Sequence, residues 1–231
     1  MTMGPPATEE TRVNARPQPH EARFDAAFSS CPMIAILRGL VPGEAEAIGD
    51  VLVEAGFGMI EVPLNSPDPF DSIARLVRRH GERALIGAGT VTATDEVREL
   101  ARIGAALAIS PHADPEVIRL SREHGLVSVP GVMSATEAFS ALRAGAHALK
   151  LFPMEIIGGA GVKALRAVLP KGLRLIAVGG VDATTIAPFH AAGCAGFGAG
   201  GSLFKPGQGT AEVAANAARL LAALDSCRDD A

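Results

Sequence analysis

Apolar runs alternate with amphipathic segments along most of the chain. Each amphipathic segment has helical spacing and ends in a glycine, and a short apolar run follows. The spacings between these glycines are 20 to 27 residues, and the glycines are Gly56, Gly81, Gly104, Gly125, Gly145, Gly172 and Gly193. Because a glycine just past a helix adopts the left-handed conformation cheaply, the pattern predicts repeated helix-then-strand units. The predicted strands are 33–37, 59–63, 84–87, 106–110, 127–130, 147–152, 173–178 and 195–198.

Capping residues mark where several of the intervening helices begin. The segment 42–55 carries an apolar stripe, and a capping pattern opens most of the later helices. These patterns are Ser66-Pro67-Asp68, Asp114-Pro115-Glu116, Ser134 with Glu137, and Asp182 with Thr184. A short helix over 20–30 precedes the repeat, with Phe24 and Phe28 on one side. The proline-rich residues 1–19 predict a flexible tail.

Eight strands alternating with helices predict an α/β fold of the (β/α)₈ TIM-barrel class, as one domain over 20–231. Strands that are apolar on both faces suit a parallel barrel, which is filled inside and covered by helices outside. An open doubly wound sheet is the structural alternative. That fold usually carries a glycine-rich fingerprint after its first strand, whereas this strand leads into Ile36-Leu37-Arg38-Gly39. The barrel is therefore favoured.

Composition narrows the function classes. The formal net charge is −4 with no polybasic block, which argues against nucleic acid or anionic membranes as partners. Cys31, Cys194 and Cys227 are far apart and form no CxxC pair, as expected in a reducing cytoplasm. The first residues do not resemble a signal peptide, and no apolar run is long enough to span a bilayer. We therefore expect a cytoplasmic protein.

Three ionisable residues lie near the ends of apolar strands. They are Arg38 after the first strand, Glu61 in the second and Lys150 in the sixth. The chemistry of this fold sits at the carboxyl ends of the strands, and inward residues of alternate strands share a layer. Strands two and six face each other across the barrel, so Glu61 and Lys150 are predicted to approach one another near the axis.

Burial would make Lys150 a nucleophile. It lowers the pKa of a lysine and so yields the neutral nucleophile, whereas a close carboxylate acts in the opposite direction. Glu61 should therefore act through an intervening water, or after the lysine has reacted. The structural alternatives are a lysine that extends from a strand end to solvent, or a buried ion pair.

Two glycine turns predict a phosphate site. Val178-Gly179-Gly180 follows the seventh strand and Gly200-Gly201-Ser202 follows the eighth, where barrels of this class recurrently bind phosphate. Thr90 offers a hydroxyl to a carboxylate or caps a helix, and Pro111 lies at the rim after strand four. No metal is expected, because the six histidines lack ligand spacing.

With these residues, the chain resembles the class I 2-keto-3-deoxy-6-phosphogluconate and phosphogalactonate aldolases. The resemblance covers about residues 31–221. The motifs are Ile36-Leu37-Arg38-Gly39, Glu61-Val62-Pro63-Leu64-Asn65-Ser66-Pro67, Gly87-Ala88-Gly89-Thr90-Val91, Leu149-Lys150-Leu151-Phe152-Pro153 and Val178-Gly179-Gly180.

The resemblance implies a role for each matching residue. Lys150 would form the Schiff base, with Phe152 flanking it, and Glu61 would be the general acid and base through a water. Thr90 would hold the pyruvyl carboxylate. The phosphate would be received by Gly180, Gly201 and Ser202.

Two departures from the phosphogluconate branch are informative. Asn65 replaces an arginine, which leaves Arg38 as the carboxylate partner, and Val178 replaces a threonine. Both resemble the phosphogalactonate branch, which implies cleavage of a phosphorylated keto acid to pyruvate and D-glyceraldehyde 3-phosphate. No metal or other cofactor is implied, because the iminium is the electron sink, and a homotrimer is implied.

Other functions stay open on the residues alone. The nearest is the same cleavage of phosphogluconate or 4-hydroxy-2-oxoglutarate substrates. A sugar-phosphate isomerase or epimerase, or a non-catalytic phosphate-binding barrel, would use the same fold but leave the placements of Lys150 and Glu61 unexplained.

Overall fold

The computed structural model describes residues 19–229, and within them every strand is parallel to its neighbours in one sheet. The tail predicted for 1–19 lies outside these residues except for Pro19, which begins the first helix. The helices are α1 (Pro19–Ser30), α2 (Pro42–Ala55), α3 (Pro69–His80), α4 (Thr94–Arg102), α5 (Pro115–Glu123), α6 (Ala135–Ala144), α7 (Met154–Val168), α8 (Ile186–Ala192) and α9 (Thr210–Asp229). The strands are β1 (Met33–Ile36), β2 (Met59–Pro63), β3 (Leu85–Gly89), β4 (Leu107–Ile109), β5 (Val127–Val129), β6 (Gly131–Val132), β7 (Leu149–Leu151), β8 (Leu175–Val178) and β9 (Gly196–Ala199).

These strands form the predicted TIM barrel, with one difference. The sheet order is β5-β4-β3-β2-β1-β9-β8-β7-β6; the predicted fifth strand 127–130 is observed as β5, and a short further strand, β6, follows Pro130. Proline has no N–H to donate to a ladder. Its carbonyl still accepts a hydrogen bond from the Lys150 N–H at 2.9 Å, so the backbone at Pro130 continues the barrel between β5 and β6.

Alternation along each strand builds two apolar cores. Leu149 and Leu151 of β7 point outward and pack in the core between strands and helices. Ala148, directly before β7, points inward and packs with Ile34, Met59, Leu107 and other barrel-lining residues. Lys150 shares the inward face, because side chains of a strand alternate with a period of two. The parallel sheet thus buries both faces of its strands, as the apolar runs predicted.

Helix α1 closes the amino-terminal end of the barrel. Phe24 and Phe28, four residues apart, are buried in the same inner core as the barrel-lining residues. Arg174 lies over both rings, 5.4 Å and 5.0 Å from their centroids, and pairs with Asp25. The barrel therefore opens only at the other end within the described residues, where the strand carboxyl ends lie.

We expect Phe24→Ala to destabilise the protein by about 3 to 5 kcal/mol, because it leaves a cavity under the barrel. Denaturant unfolding followed by circular dichroism measures the loss. Val168→Ala is the control, since the Val168 side chain at the end of α7 is 56% exposed and its truncation should cost about 1 kcal/mol or less. Equal losses in the two variants would show that α1 does not contribute to the barrel core.

The predicted caps are confirmed at two helices and wrong at another. Asp114 accepts hydrogen bonds from the N–H groups of Glu116 and Val117, and Ser134 with Glu137 forms a capping box. Asp68 precedes α3, but its side chain makes no capping hydrogen bond. The preceding serine has a tertiary role instead, since Ser66 Oγ accepts from the Gly39 N–H at 2.9 Å and joins the loops after β1 and β2.

The predicted cap before α8 has a different geometry. Asp182 accepts from the N–H groups of Thr184 and Thr185, which orders the loop after β8, while the residue at the start of α8 is Thr185 and makes no side-chain cap. No helix in residues 19–229 is both long and apolar enough to cross a membrane.

Candidate active site at the mouth of the barrel

Glu61 on β2 and Lys150 on β7 are buried together inside the barrel. Glu61 is 2% exposed and Lys150 is 6% exposed. They line one narrow cavity with apolar residues from four other strands and with the glycine of a fifth, namely Ile34, Ile36, Ile109, Val129, Ile176, Val178 and Gly198. The meeting predicted for strands two and six is therefore what the tertiary structure shows. Neither side chain reaches solvent, so Lys150 is not a lysine extending from a strand end.

Burial dominates the acidity of Glu61. It raises the pKa of the carboxyl to about 7, although the charges of Lys150 and Arg38 act to lower it. The Oε2 atom is buried and has no hydrogen-bond partner within the described structure. A carboxyl with a pKa near neutrality can both accept and return a proton at physiological pH.

Burial also dominates the acidity of Lys150. It lowers the pKa of the amine, and the nearby Arg38 charge adds to this, while Glu61 acts to raise it. The Nζ atom lies 4.6 Å from the centroid of the Phe152 ring. The same apolar surroundings thus favour the neutral forms of both groups, and a neutral amine is the form that attacks a carbonyl.

The two groups do not form a direct ion pair. No Nζ–oxygen contact within 4 Å joins Lys150 to Glu61, both of which lie in the described region. The cavity between the barrel walls has a volume of about 10 Å³. This volume is close to the space that one water molecule needs. Both residues line this cavity, so a water between them stays a prediction that the volume allows.

A wider cavity of about 490 Å³ lies above this pair, at the carboxyl ends of the strands. It shares Ile36, Val178 and Gly198 with the inner cavity. Eight of the residues predicted to bind substrate line it, and they are Arg38, Phe152, Val178, Gly179, Gly180, Gly200, Gly201 and Ser202. Ser202 Oγ donates to the Val181 carbonyl at 2.7 Å and so holds the two glycine turns together.

The other three predicted residues lie outside the linings of these two cavities. Asn65 is joined to the mouth through its Oδ1, which accepts from Arg38 Nη1 at 2.8 Å. Thr90 follows β3 with a φ of +58°. Pro111 follows β4, and its carbonyl lies against Gly131, where a Cβ would come within 2.5 Å. The structure thus links Asn65 to the site and leaves Thr90 and Pro111 at its rim.

The conformation of Thr90 is strained. A β-branched residue in the left-handed region is unusual and costs about 1 to 3 kcal/mol, which surrounding structure must offset. Thr90 does not cap α4, because the residue before that helix is Ala93 and the Glu96 carboxylate accepts from the N–H groups of Thr92 and Ala93. The alternative role of Thr90 as a helix cap is therefore wrong, and its role toward a ligand stays a prediction.

Residues 19–229 contain no group of three histidine, cysteine, aspartate or glutamate side chains arranged to hold a metal ion. His147 is buried, and burial followed by the Arg122 charge lowers its pKa to about 4. It lies near Glu21 of α1, at the closed end of the barrel. Its place is structural, away from the mouth.

The family model described as KDPG and KHG aldolase matches residues 24–217. The chain belongs to this aldolase family. A probable 2-dehydro-3-deoxy-6-phosphogalactonate aldolase of Rhizobium meliloti is 49% identical over 195 residues, which is 84% of this chain and 92% of the relative. The 2-dehydro-3-deoxy-6-phosphogalactonate aldolase of Escherichia coli is 46% identical over 192 residues, covering 83% and 94%. A solved native KDPGal structure superposes with a TM-score of 0.84 at 45% identity, covering 86% of this chain and 96% of that chain.

Two residues that were not predicted as site residues lie against the site of this aldolase barrel. Gly89, at the end of β3, lies directly against the Glu61 carboxyl group, where a Cβ would come within 2.5 to 2.6 Å of all three carboxyl atoms. Glu155, in the first turn of α7, lines the mouth and lies against Gly179 and Gly180. From the sequence, Gly89 is named only as part of a family motif, because close approach between strands is a tertiary property.

Gly89→Ala should lower kcat/KM by about a hundredfold or more, because a displacement by about 1 Å of the carboxyl predicted to act as acid and base has effects of this size. Steady-state kinetics measure the loss, and a thermal melt checks that the aldolase barrel stays folded. Gly43→Ala in α2 is the matched control, since a Cβ there meets nothing within 4 Å. Unchanged kinetics in Gly89→Ala would show that the position of Glu61 does not depend on this glycine.

Proposed function

We propose that the protein is a class I aldolase that cleaves 2-dehydro-3-deoxy-6-phosphogalactonate to pyruvate and D-glyceraldehyde 3-phosphate. The observation that carries this proposal is the burial of Lys150 beside Glu61 on the inner face of an otherwise apolar barrel. Membership of the aldolase family and the names of the two relatives support the reaction and the substrate. An isomerase would need paired acid and base groups but no lysine amine.

The proposed reaction begins at Lys150. The neutral amine attacks the C2 ketone carbon, a proton moves from nitrogen to oxygen, and water leaves to give an iminium. The apolar surroundings that lower the pKa of Lys150 keep the amine available for this attack. The iminium then accepts the electron pair of the breaking carbon–carbon bond.

Glu61 is proposed to move protons through one water. As carboxylate it removes the C4 hydroxyl proton, the C3–C4 bond breaks, and D-glyceraldehyde 3-phosphate leaves while an enamine remains on Lys150. As carboxylic acid it returns the proton to C3, and hydrolysis of the iminium frees pyruvate and the amine. A pKa of about 7 suits a group that must act in both directions.

The mouth is proposed to hold the two ends of the substrate. The turns Gly179-Gly180 and Gly200-Gly201-Ser202 would receive the phosphate, since side-chain-free turns let N–H groups approach an anion. Arg38, held by Asn65, would bind the carboxylate, with Thr90 at the rim. Asn65 and Val178 are the residues that favour the galactonate epimer over the gluconate epimer.

Trapping tests the chemistry, and a pair of epimers tests the substrate. Incubation with pyruvate followed by borohydride reduction should fix a pyruvyl adduct on Lys150, mapped by mass spectrometry of peptides. Absence of that adduct would contradict the Schiff-base mechanism. Cleavage of the two C4 epimers is then compared by coupled assay of pyruvate, and a clear preference for the gluconate epimer would contradict the assignment of Asn65 and Val178.

We further propose a cytoplasmic homotrimer. Three large apolar side chains are exposed on the elements that follow β6 and β7, namely Met133 at 47%, Phe139 at 37% and Ile156 at 69%. Large exposed apolar side chains favour contact with another copy. Light scattering coupled to size-exclusion chromatography should give three times the chain mass of 23.6 kDa. A monomeric mass would contradict the assembly.

A further inference from the structure

Three charged side chains line the mouth cavity, and two of them are already engaged. Arg38 donates to Asn65. The Asp182 carboxylate accepts from the N–H groups of Thr184 and Thr185 and from the Thr184 hydroxyl, and these bonds lower its pKa. Asp182 is therefore an anion that is held in place and stabilised by the donors of its own turn.

Glu155 is the third charged group and is not engaged. It is exposed, and within the described residues its carboxylate makes neither a hydrogen bond nor an ion pair. Its side chain lies against the turn proposed to receive the phosphate. A Cβ added to Gly179 would come within 2.2 Å of Glu155 Oε2, and one added to Gly180 within 2.8 Å of Glu155 Cγ.

The backbone that carries Glu155 is a separate single turn. Pro153 accepts hydrogen bonds from the N–H groups of Ile156 and Ile157, and the helix then breaks at Gly158, with φ of 59° and ψ of 174°. A glycine tolerates this conformation, which is strongly disfavoured for other residues. The position of Glu155 is therefore set by a turn between Pro153 and Gly158, independently of the rest of α7.

A carboxylate in this position opposes a phosphate. A phosphate dianion on the Gly179-Gly180 turn would lie beside the Glu155 carboxylate, and like charges at such distances repel in a partly enclosed pocket. Glu155 can move away at little cost, because it is exposed and has no partner to lose. The repulsion acts on the phosphate of substrate, transition state and phosphorylated product alike, so it changes binding rather than the chemical barrier.

We propose that Glu155 competes with the substrate phosphate for the Gly179-Gly180 turn and so weakens the binding of every phosphorylated ligand. This inference rests on the proposed phosphate site. The repulsion also favours release of the phosphorylated product.

The test compares Glu155→Gln, which removes the charge and keeps the shape, with Glu123→Gln, an exposed glutamate at the end of α5. Isothermal titration with inorganic phosphate, which needs no catalysis, should show about fivefold tighter binding for Glu155→Gln and no change for the control. In kinetics, KM for the phosphorylated keto acid should fall by a similar factor, with kcat within about twofold and KM for the unphosphorylated keto acid unchanged.

Each other outcome overturns the inference. Weaker phosphate binding or a higher KM would show that Glu155 assists binding, and equal changes for both keto acids would show a general effect on the mouth. If neither wild type nor Glu155→Gln binds phosphate, the turn is not a phosphate site. Failure of the proposed function gives a distinguishable result. Glu155→Gln would still bind phosphate more tightly than wild type, but neither protein would cleave the phosphorylated keto acid.

Discussion

Lys150→Met is expected to lower kcat/KM by more than about 10⁴-fold, equivalent to about 5.4 kcal/mol of transition-state stabilisation. Methionine has a similar volume but no amine, so neither an iminium nor a trapped pyruvate adduct can form. The folded protein should be at least as stable as wild type, because the buried ammonium and its desolvation are removed. Without the Lys150 charge, which lowers its pKa, the Glu61 carboxyl should take up a proton and stay neutral.

Steady-state kinetics, borohydride trapping and thermal melts measure these three effects. Lys171→Met is the matched control, since that lysine is exposed in the loop between α7 and β8. It should keep full activity and still give the adduct on Lys150. Substantial cleavage by Lys150→Met, or an adduct on another lysine, would contradict the assigned nucleophile.

Glu61→Gln is expected to lose activity about 10²- to 10³-fold. Its stability relative to wild type is expected to increase as the pH rises. The folded-state pKa of Glu61 is about 7, above its ordinary value of 4.5. The folded protein therefore binds more protons than the unfolded chain between these values, and the wild type loses stability as the pH rises through this window. Glutamine does not ionise, so this loss is absent in the variant.

The difference in unfolding free energy between Glu61→Gln and wild type should be greater at about pH 8 than at about pH 5 by about 2 to 3 kcal/mol. Removing Glu61 also removes the charge that favours the Lys150 ammonium, which acts in the same direction. Urea unfolding at both pH values measures the difference. A difference that stays constant with pH would contradict a raised pKa at Glu61.

His147 titrates in an overlapping window with the opposite sign. Its folded-state pKa of about 4 lies below the ordinary 6.5, so its contribution to stability is lost as the pH falls from about 6.5 to about 4. This loss of stability is the same in wild type and in Glu61→Gln. The comparison between the two proteins at each pH therefore cancels the contribution of His147.

Hydrophobic periodicity predicted the barrel because each strand is buried on both faces and each helix on one. The predicted strand 59–63 agrees with β2 residue by residue, and the predicted helix 42–55 agrees with α2. The short strand β6 was missed, because Pro130 cannot donate to a ladder and so predicts the end of the fifth strand. Asp68 is a residue type that commonly caps helices, but it makes no capping hydrogen bond here. Capping depends on a backbone geometry that this loop does not adopt.

The sequence by itself determined the barrel, the strand positions of Glu61 and Lys150, and the two glycine turns, because these depend on periodicity and on residues near one another in the chain. Only the tertiary structure decided how the residues meet. It brings Lys150 and Glu61 into the lining of one cavity of about 10 Å³ without a direct ion pair, and it packs Gly89 against the Glu61 carboxyl. It also places the Glu155 side chain against the Gly179-Gly180 turn. These contacts join different strands and loops, and side-chain spacing along one strand carries no information about distances across the barrel.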